Sequence, residues 1–209
     1  MKFKKESIHY VVVFTFIVCV AFVIVLAVAN QLTIAQVRAN QSYASHFAVL
    51  KAFGLADETT SKTEVESRYS SQVKELKTAP AGTVAYSTSI NGAAYVAVKM
   101  TAAGLWGPIT AILAADPKAE RVLGFAILDQ QETPGLGGRI GEPWFTEQFK
   151  GEKVGADGTI KVVQGSGKGD PNKENSLVDA ISGASRTSDF VQSLVTKSLA
   201  LVKQIGGSL

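Results

Sequence analysis

The sequence predicts an α+β protein: one N-terminal transmembrane helix, then a domain built on an antiparallel sheet with flanking helices. Three observations carry that reading. An uncharged apolar run, Tyr10–Ala29, is as long as a bilayer core is thick. Two strand–turn–strand patterns occupy the middle of the chain, and an amphipathic helical pattern closes it.

The apolar run reads YVVVFTFIVCVAFVIVLAVA, without charge, Pro or Gly. At about 1.5 Å per residue it spans roughly 30 Å. Lys2, Lys4 and Lys5 precede it, so the positive-inside rule places residues 1–9 in the cytoplasm and everything after Asn30 outside. Two alternatives stand beside the anchor. Ala27-Val28-Ala29 is an acceptable signal-peptidase site, although the run exceeds the usual signal core of about 7–15 residues. A lipoprotein signal ending at Cys19 is disfavoured by Val18 before it and by the apolar residues after it. With no charge in the run there is no ion ligand, which favours a tether over an ion path.

Residues 30–80 read as a stalk and linker. Ile34, Val37, Tyr43, Phe47 and Leu50 recur at helical intervals over Gln31–Phe53, and Gly54 is a natural stop. Asp57–Lys77 reads as a loop plus one exposed helix, and Ala79-Pro80-Ala81-Gly82 as a break. Residues 81–209 read as the folded domain. Thr83–Ile90 and Ala93–Met100 flank Asn91-Gly92, a strong hairpin signal. Pro108–Ala115 and Arg121–Leu128 flank a second turn at Asp116–Ala119. Pro143 opens a short helix, Lys161–Gln164 forms another strand, and Gly165–Asn175 is a Gly-rich loop. In the last helix Val191, Leu194, Val195, Ser198, Leu199 and Val202 share one face, with Ser188 as the expected N-cap and Gly206-Gly207 as the end.

Composition narrows the chemistry. The net charge is +3, and Lys2, Lys4, Lys5 and Glu6 carry two of those charges, so the exported part has no electrostatic footprint for nucleic acid. One cysteine, inside the apolar run, allows no internal disulfide and no cysteine metal cluster. Two histidines, His9 and His46, make a histidine metal site an unfavoured reading. Carboxylates, hydroxyls and an organic cofactor remain.

Three segments are too unusual to be filler. Asp179-Ala-Ile-Ser-Gly-Ala-Ser185-Arg-Thr-Ser188 places small residues and hydroxyls before a helix N-terminus, where free N–H groups and the dipole favour an anion. Arg186 can add a charge-assisted contact to a phosphate. Its plain alternative is a Ser-rich helix cap. Glu132-Thr-Pro-Gly-Leu-Gly-Gly138 can bring backbone close to a flat ligand, or can be a simple surface loop. In Gly104-Leu-Trp-Gly-Pro-Ile109, Trp106 can stack on an aromatic ring, although unaided it reads better as a core residue.

Together, in this order and spacing, the segments resemble the FMN-binding domain family. That family includes the RnfG component of the Rnf complex and the NqrC component of the sodium-translocating NADH:quinone reductase. Its flavinylation motif is Asp, two residues, Ser or Thr, Gly, Ala, then Thr or Ser, and here it spans Asp179 to Ser185. The resemblance covers the anchor and roughly residues 81–209. It implies that a dedicated flavin transferase, using FAD and Mg²⁺, esterifies the FMN phosphate to Ser185, where the usual acceptor is Thr. It implies a phosphate site framed by Asp179, Ser182, Gly183, Ala184, Arg186 and Thr187. It further implies a flavin lined by Glu132, Thr133, Gly135, Leu136 and Gly137, with Trp106 nearby. The redox chemistry would belong to the flavin, with no catalytic side chain and no metal ligand expected.

The implied function is that of an electron carrier within a membrane complex moving Na⁺ or H⁺, with the FMN domain periplasmic or extracellular. Short length favours the Rnf type, while the Trp of Gly-Leu-Trp-Gly is similar to the quinone-reductase type. The alternatives are a stand-alone exported flavoenzyme and a cofactor-free binding module.

Overall fold

The computed structural model describes residues 7–77 and 83–208, so the N-terminal lysines and the Ala79–Gly82 break lie outside the described residues. The chain divides into two compact units, Met1–Ser42 and Tyr43–Leu209. Helix α1, Ile8–Ala52, contributes to both. In the first unit nearly every side chain of the apolar run is exposed within the chain, and the helix is long and apolar enough to cross a membrane.

The second unit begins with the last turns of α1. They end in a Schellman motif, with Gly54 at φ +71 donating to the Lys51 carbonyl and Leu55 donating to that of Leu50. Helix α2, Lys62–Gln72, carries a capping box in which Ser61 and Glu64 satisfy each other's backbone. A five-stranded antiparallel sheet follows: β1 Lys74–Leu76, β2 Val84–Ile90, β3 Ala93–Ala103, β4 Pro108–Ala115 and β5 Val122–Asp129, in sequential order. Asn91 and Gly92 both take positive φ, as a type I′ turn requires. At the second hairpin the Asp116 carboxylate accepts the Lys118 and Glu120 amides, which fixes the turn from within.

Strand alternation makes two cores, one on each face of the sheet. In β4, Ile109, Ala111, Leu113 and Ala115 point to one core, and Ile112 and Ala114 to the other. The second core is closed by Ala48, Val49, Ala52 and Phe53 of the α1 end. The first is closed by α4, Ser185–Gly206, through Val191, Leu194, Val195, Leu199 and Val202, the face that the periodicity predicts. Between sheet and α4 the chain forms a 3-10 turn at Gly137–Gly141, helix α3 at Pro143–Thr146, and a parallel strand pair, β6 Lys161–Val163 with β7 Leu177–Asp179. Phe145 and Phe149 from this stretch are fully buried against Phe125 of β5 and each other.

The structure corrects several sequence expectations. Helix α4 begins at Ser185, with Ala184 as N-cap, so Ser188 lies inside the first turn. Its hydroxyl is buried, accepting the Ile181 amide and donating to the Ala184 carbonyl, so it braces the preceding loop instead of capping the helix. Strands β1 and β7 are additions to the expected set.

One fully buried carboxyl, Glu152, lies between α3 and β6. Glu152 is 0% exposed, its Oε1 accepts the Ser176 amide at 2.8 Å, and its Oε2 has no partner among the described residues. Burial, partly offset by the Ser176 hydrogen bond and the Lys173 charge, pushes this carboxyl above its ordinary 4.5. A raised folded-state value favours the protonated form. The stabilisation is therefore complete below the unfolded value and lost as pH rises through the folded one. Glu152→Gln keeps the neutral form at every pH. Thermal unfolding should show it matching the parent near pH ~4 and exceeding it near pH ~8, by roughly 2–4 °C for each kcal/mol relieved. A difference that does not grow with pH would show that the carboxylate is carried without penalty.

Candidate functional site

The three unusual segments meet, and one carboxylate joins them. Glu132, just beyond β5, is 5% exposed. Its Oε1 accepts the backbone amides of Leu105 at 2.8 Å and Trp106 at 3.2 Å. Its Oε2 accepts the Thr187 hydroxyl at 2.7 Å, in the first turn of α4. The Gln130 side chain accepts the Glu132 amide at 2.6 Å and so holds the backbone from which the carboxylate projects. Glu132 thus ties the β3–β4 turn, the loop after β5 and the start of α4 into one structure. Three donors on a buried carboxylate make a strong arrangement, because each would otherwise be left unpaired.

The glycines around Glu132 are explained by crowding. A Cβ on Gly137 would lie 2.6 Å from the Thr187 hydroxyl and 2.8 Å from Glu132 Oε2. A Cβ on Gly104 would lie 2.6 Å from Glu132 Oε1. The loop itself curls around the Thr133 carbonyl, which accepts the amides of Leu136 and Gly138. Gly135 and Leu136 are exposed on the outside of the curl, and Gly137 is buried within it.

At the start of α4 the four hydroxyls separate into two classes. Those of Thr187 and Ser188 are buried and committed to hydrogen bonds within the protein. Ser182 and Ser185 are exposed. Ser185 is the first helical residue, and the first helical bond runs from the Ser188 amide to Ala184, so the amides before it have no helical acceptor. Gly183, at φ +79, lies beside Leu136: a Cβ there would be 3.4 Å from the Leu136 side chain. The acceptor segment and the Gly-rich loop are therefore neighbours. Ala184 is buried, while Arg186 is exposed and loosely paired with Asp189 at 3.9 Å.

Trp106 is not in the core. It is 70% exposed at a tight turn closed by the Gly104 amide on the Gly107 carbonyl. The sequence position before a strand favours burial, but the turn directs the ring outward. Leu105 and Leu136 are also exposed. Three large apolar side chains thus stand on the two segments that Glu132 binds to the helix start.

Asp179, first residue of the motif, is placed differently from the others. It is buried, and its carboxylate accepts from the Ser166 hydroxyl and the Gly167 and Gly169 amides. Gln148, which sequence reasoning misses, holds the Asp179 backbone: its side chain accepts the Asp179 amide at 2.6 Å and donates to the Asp179 carbonyl at 3.2 Å. Nothing local marks Gln148. Its partner lies 31 residues away, in β7.

The comparisons with known proteins agree with this geometry. Residues 104–200 match the model of the FMN-binding domain family. The chain is 39% identical over 117 residues to the C component of the Na(+)-translocating NADH-quinone reductase of Chlamydia pneumoniae, covering 49% of this chain and 37% of that protein. It is 42% identical over 89 residues to the same component from Neisseria meningitidis, covering 43% and 34%. The chain therefore spans about a third of the length of the curated relatives it matches. The crystal structure of the corresponding Parabacteroides distasonis protein superposes with a TM-score of 0.63 at 25% identity, covering 78% of this chain and 92% of that one. Shewanella oneidensis NqrC shares the fold, with a TM-score of 0.67 at 18% identity over 82% of this chain and 100% of that one.

Proposed function

We propose that this chain, whose residues 104–200 match the model of the FMN-binding domain family, is a membrane-anchored electron carrier of an ion-translocating oxidoreductase complex, holding FMN through a phosphoester on Ser185. The observation that carries this reading is the sorting of hydroxyls at the start of α4. Ser185 is exposed on the first helical residue, while Thr187 and Ser188 are buried and engaged.

The residues present fit the group. The amides of the first turn and Arg186 suit a phosphate. Leu105, Trp106 and Leu136 offer exposed apolar surface for a flat ring, and the Gly-rich loop allows close backbone approach. In maturation the Ser185 hydroxyl oxygen bonds to the phosphorus of the FMN half of FAD. The phosphoanhydride bond to the AMP half breaks, AMP leaves with the bonding pair, and the hydroxyl proton passes to the flavin transferase. When bound, FMN supplies the electron-transfer chemistry, and the protein supplies its position and surroundings. Glu132 holds the ring-bearing and phosphate-bearing segments in register, and the covalent bond keeps a soluble cofactor from being lost outside the cell.

The anchor and the lysines before it support an N-terminus in the cytoplasm and an FMN domain on the periplasmic or extracellular side. Other membrane proteins of an Rnf- or Nqr-type complex would then be its partners. The names of the relatives support the sodium-translocating quinone-reductase type over the Rnf type. Copurification of the chain with one or the other set of proteins decides between them.

The test is an intact mass of the full chain produced with a flavin transferase, followed by peptide mapping. The expected result is an FMN increment confined to the peptide that contains Ser185. A colourless protein with that peptide unmodified would end the proposal.

A further inference from the structure

We propose that Gln148 and Gln192 are positioning residues for flavin attachment: their side-chain amides close the two open edges of the β6–β7 pair and so fix both ends of the segment that carries Ser185. The inference rests on the Ser185 reading and adds to it two residues outside the flavinylation motif.

A two-stranded sheet leaves a row of unpaired backbone groups on each outer side, and by itself it is marginally stable. Strands β6 and β7 pair over short stretches, Lys161–Val163 with Leu177–Asp179. On the outer side of β6 the Val162 amide donates to Gln192 Oε1 at 2.8 Å. On the outer side of β7 the Asp179 amide donates to Gln148 Oε1 at 2.6 Å, and the Asp179 carbonyl accepts from Gln148 Nε2 at 3.2 Å. Each glutamine thus stands where a further strand would. Val162 and Asp179 are buried, so an open edge at either place would leave polar groups unpaired.

The acceptor segment runs between these two fixed points. The ladder ends where the Ala180 amide donates to the Val163 carbonyl at 2.7 Å, and α4 begins where the Ser188 amide donates to the Ala184 carbonyl at 3.1 Å. Strand β7 leads into the segment and α4 leads out of it. Strand β6 is bonded to both, by the ladder on one side and by Gln192 on the other. Strands, segment and helix therefore close into a ring, and Gln192 is the link from helix to strand. Gln192 lies about 10 Å along the helix axis from Ser185, so releasing it frees the end of α4 that bears the acceptor.

The two amides are used differently. Gln148 accepts from Asp170 and Asp179 at Oε1 and donates to Asp179 at Nε2, so both ends of its amide are needed. Gln192 meets Val162 through its acceptor oxygen. A carboxylate can replace an acceptor but not a donor. Glutamate should therefore serve at position 192 and fail at position 148, where it would turn an oxygen on the Asp179 carbonyl.

The experiment uses the full chain as substrate for the flavin transferase, with FAD and Mg²⁺, and measures kcat and KM for the protein substrate. All rates are taken below the thermal unfolding transition of every variant. Gln192→Met, close to glutamine in volume, should lower kcat/KM by roughly 10- to 100-fold, the size expected when a reacting group is misplaced by about an ångström. Gln192→Glu should restore most of that loss. Gln148→Met and Gln148→Glu should both be impaired, and the pair at position 192 carries the test if they do not fold. If folded Gln192→Met is modified like the parent, or if Gln192→Glu is as slow as Gln192→Met, the closed edge does not place the acceptor and this inference alone is wrong. If the parent takes up no flavin at all, the Ser185 reading fails first and this one with it.

Discussion

Ser185→Ala should abolish covalent flavin while leaving the fold unchanged. The side chain is exposed at the first helical position, and the cap has no side-chain hydrogen bond, so truncation removes no internal support. A surface change of this kind falls within about ±0.5 kcal/mol. The measurements are in-gel flavin fluorescence after denaturation, intact mass, and thermal unfolding. Ser182→Ala is the informative companion, because Ser182 is the other exposed hydroxyl of the motif. It should retain the flavin bond. Covalent flavin that survives Ser185→Ala and disappears with Ser182→Ala would move the acceptor to the loop before the helix. Thr187→Ser should remain flavinylated on Ser185, since the hydroxyl that binds Glu132 is kept.

The second large effect is expected at Glu132. Glu132→Ala leaves the part-buried Leu105 and Trp106 amides and the buried Thr187 hydroxyl without their acceptor. At about 1–3 kcal/mol for a donor left unpaired, the three together cost on the order of 3–5 kcal/mol. The lost anchoring should also lower flavin attachment, although Ser185 itself is untouched. Gly137→Ala approaches the same centre by crowding, and about 1–3 kcal/mol is expected for an inserted methyl that cannot be accommodated. Thr187→Val breaks one of the three bonds and leaves a buried carboxylate oxygen unpaired, which should cost about 1.5–3 kcal/mol. A loss for Glu132→Ala larger than for either Gly137→Ala or Thr187→Val in unfolding experiments checks the account. Equal, small effects for all three would show that the segments hold together without the carboxylate.

Much of this centre is invisible in the sequence, while the frame around it is not. The hairpins are legible, because Asn91-Gly92 and Asp116–Ala119 carry their turn chemistry locally, and Pro108–Ala115 is observed with the bounds expected. The face of α4 is legible because a period of about 3.6 residues needs no knowledge of what it packs against. Strand β1 is not: Lys74-Glu75-Leu76 is short and polar, and only its pairing with β2 makes it a strand. Strand β7 owes its existence to a parallel partner, β6, across an intervening loop. The start of α4 is misread because Ser188 is the better cap by residue type, yet its hydroxyl is taken by the Ile181 amide. At the site, the three segments stand out by composition, but their meeting point does not. The resemblance names Glu132 as lining the flavin, but its part in joining two turns and a helix shows only when they are seen to converge on it. Trp106 gives the opposite lesson, an aromatic residue whose type favours burial and whose turn forbids it.

The reach of Glu132 along the chain has a consequence for timing. Its partners stand 26, 27 and 55 residues away, so no short stretch of polypeptide contains the acceptor environment. The surroundings proposed for the flavin therefore exist only once residues far apart along the chain have been brought together, so a partly assembled domain would offer the cofactor no completed seat.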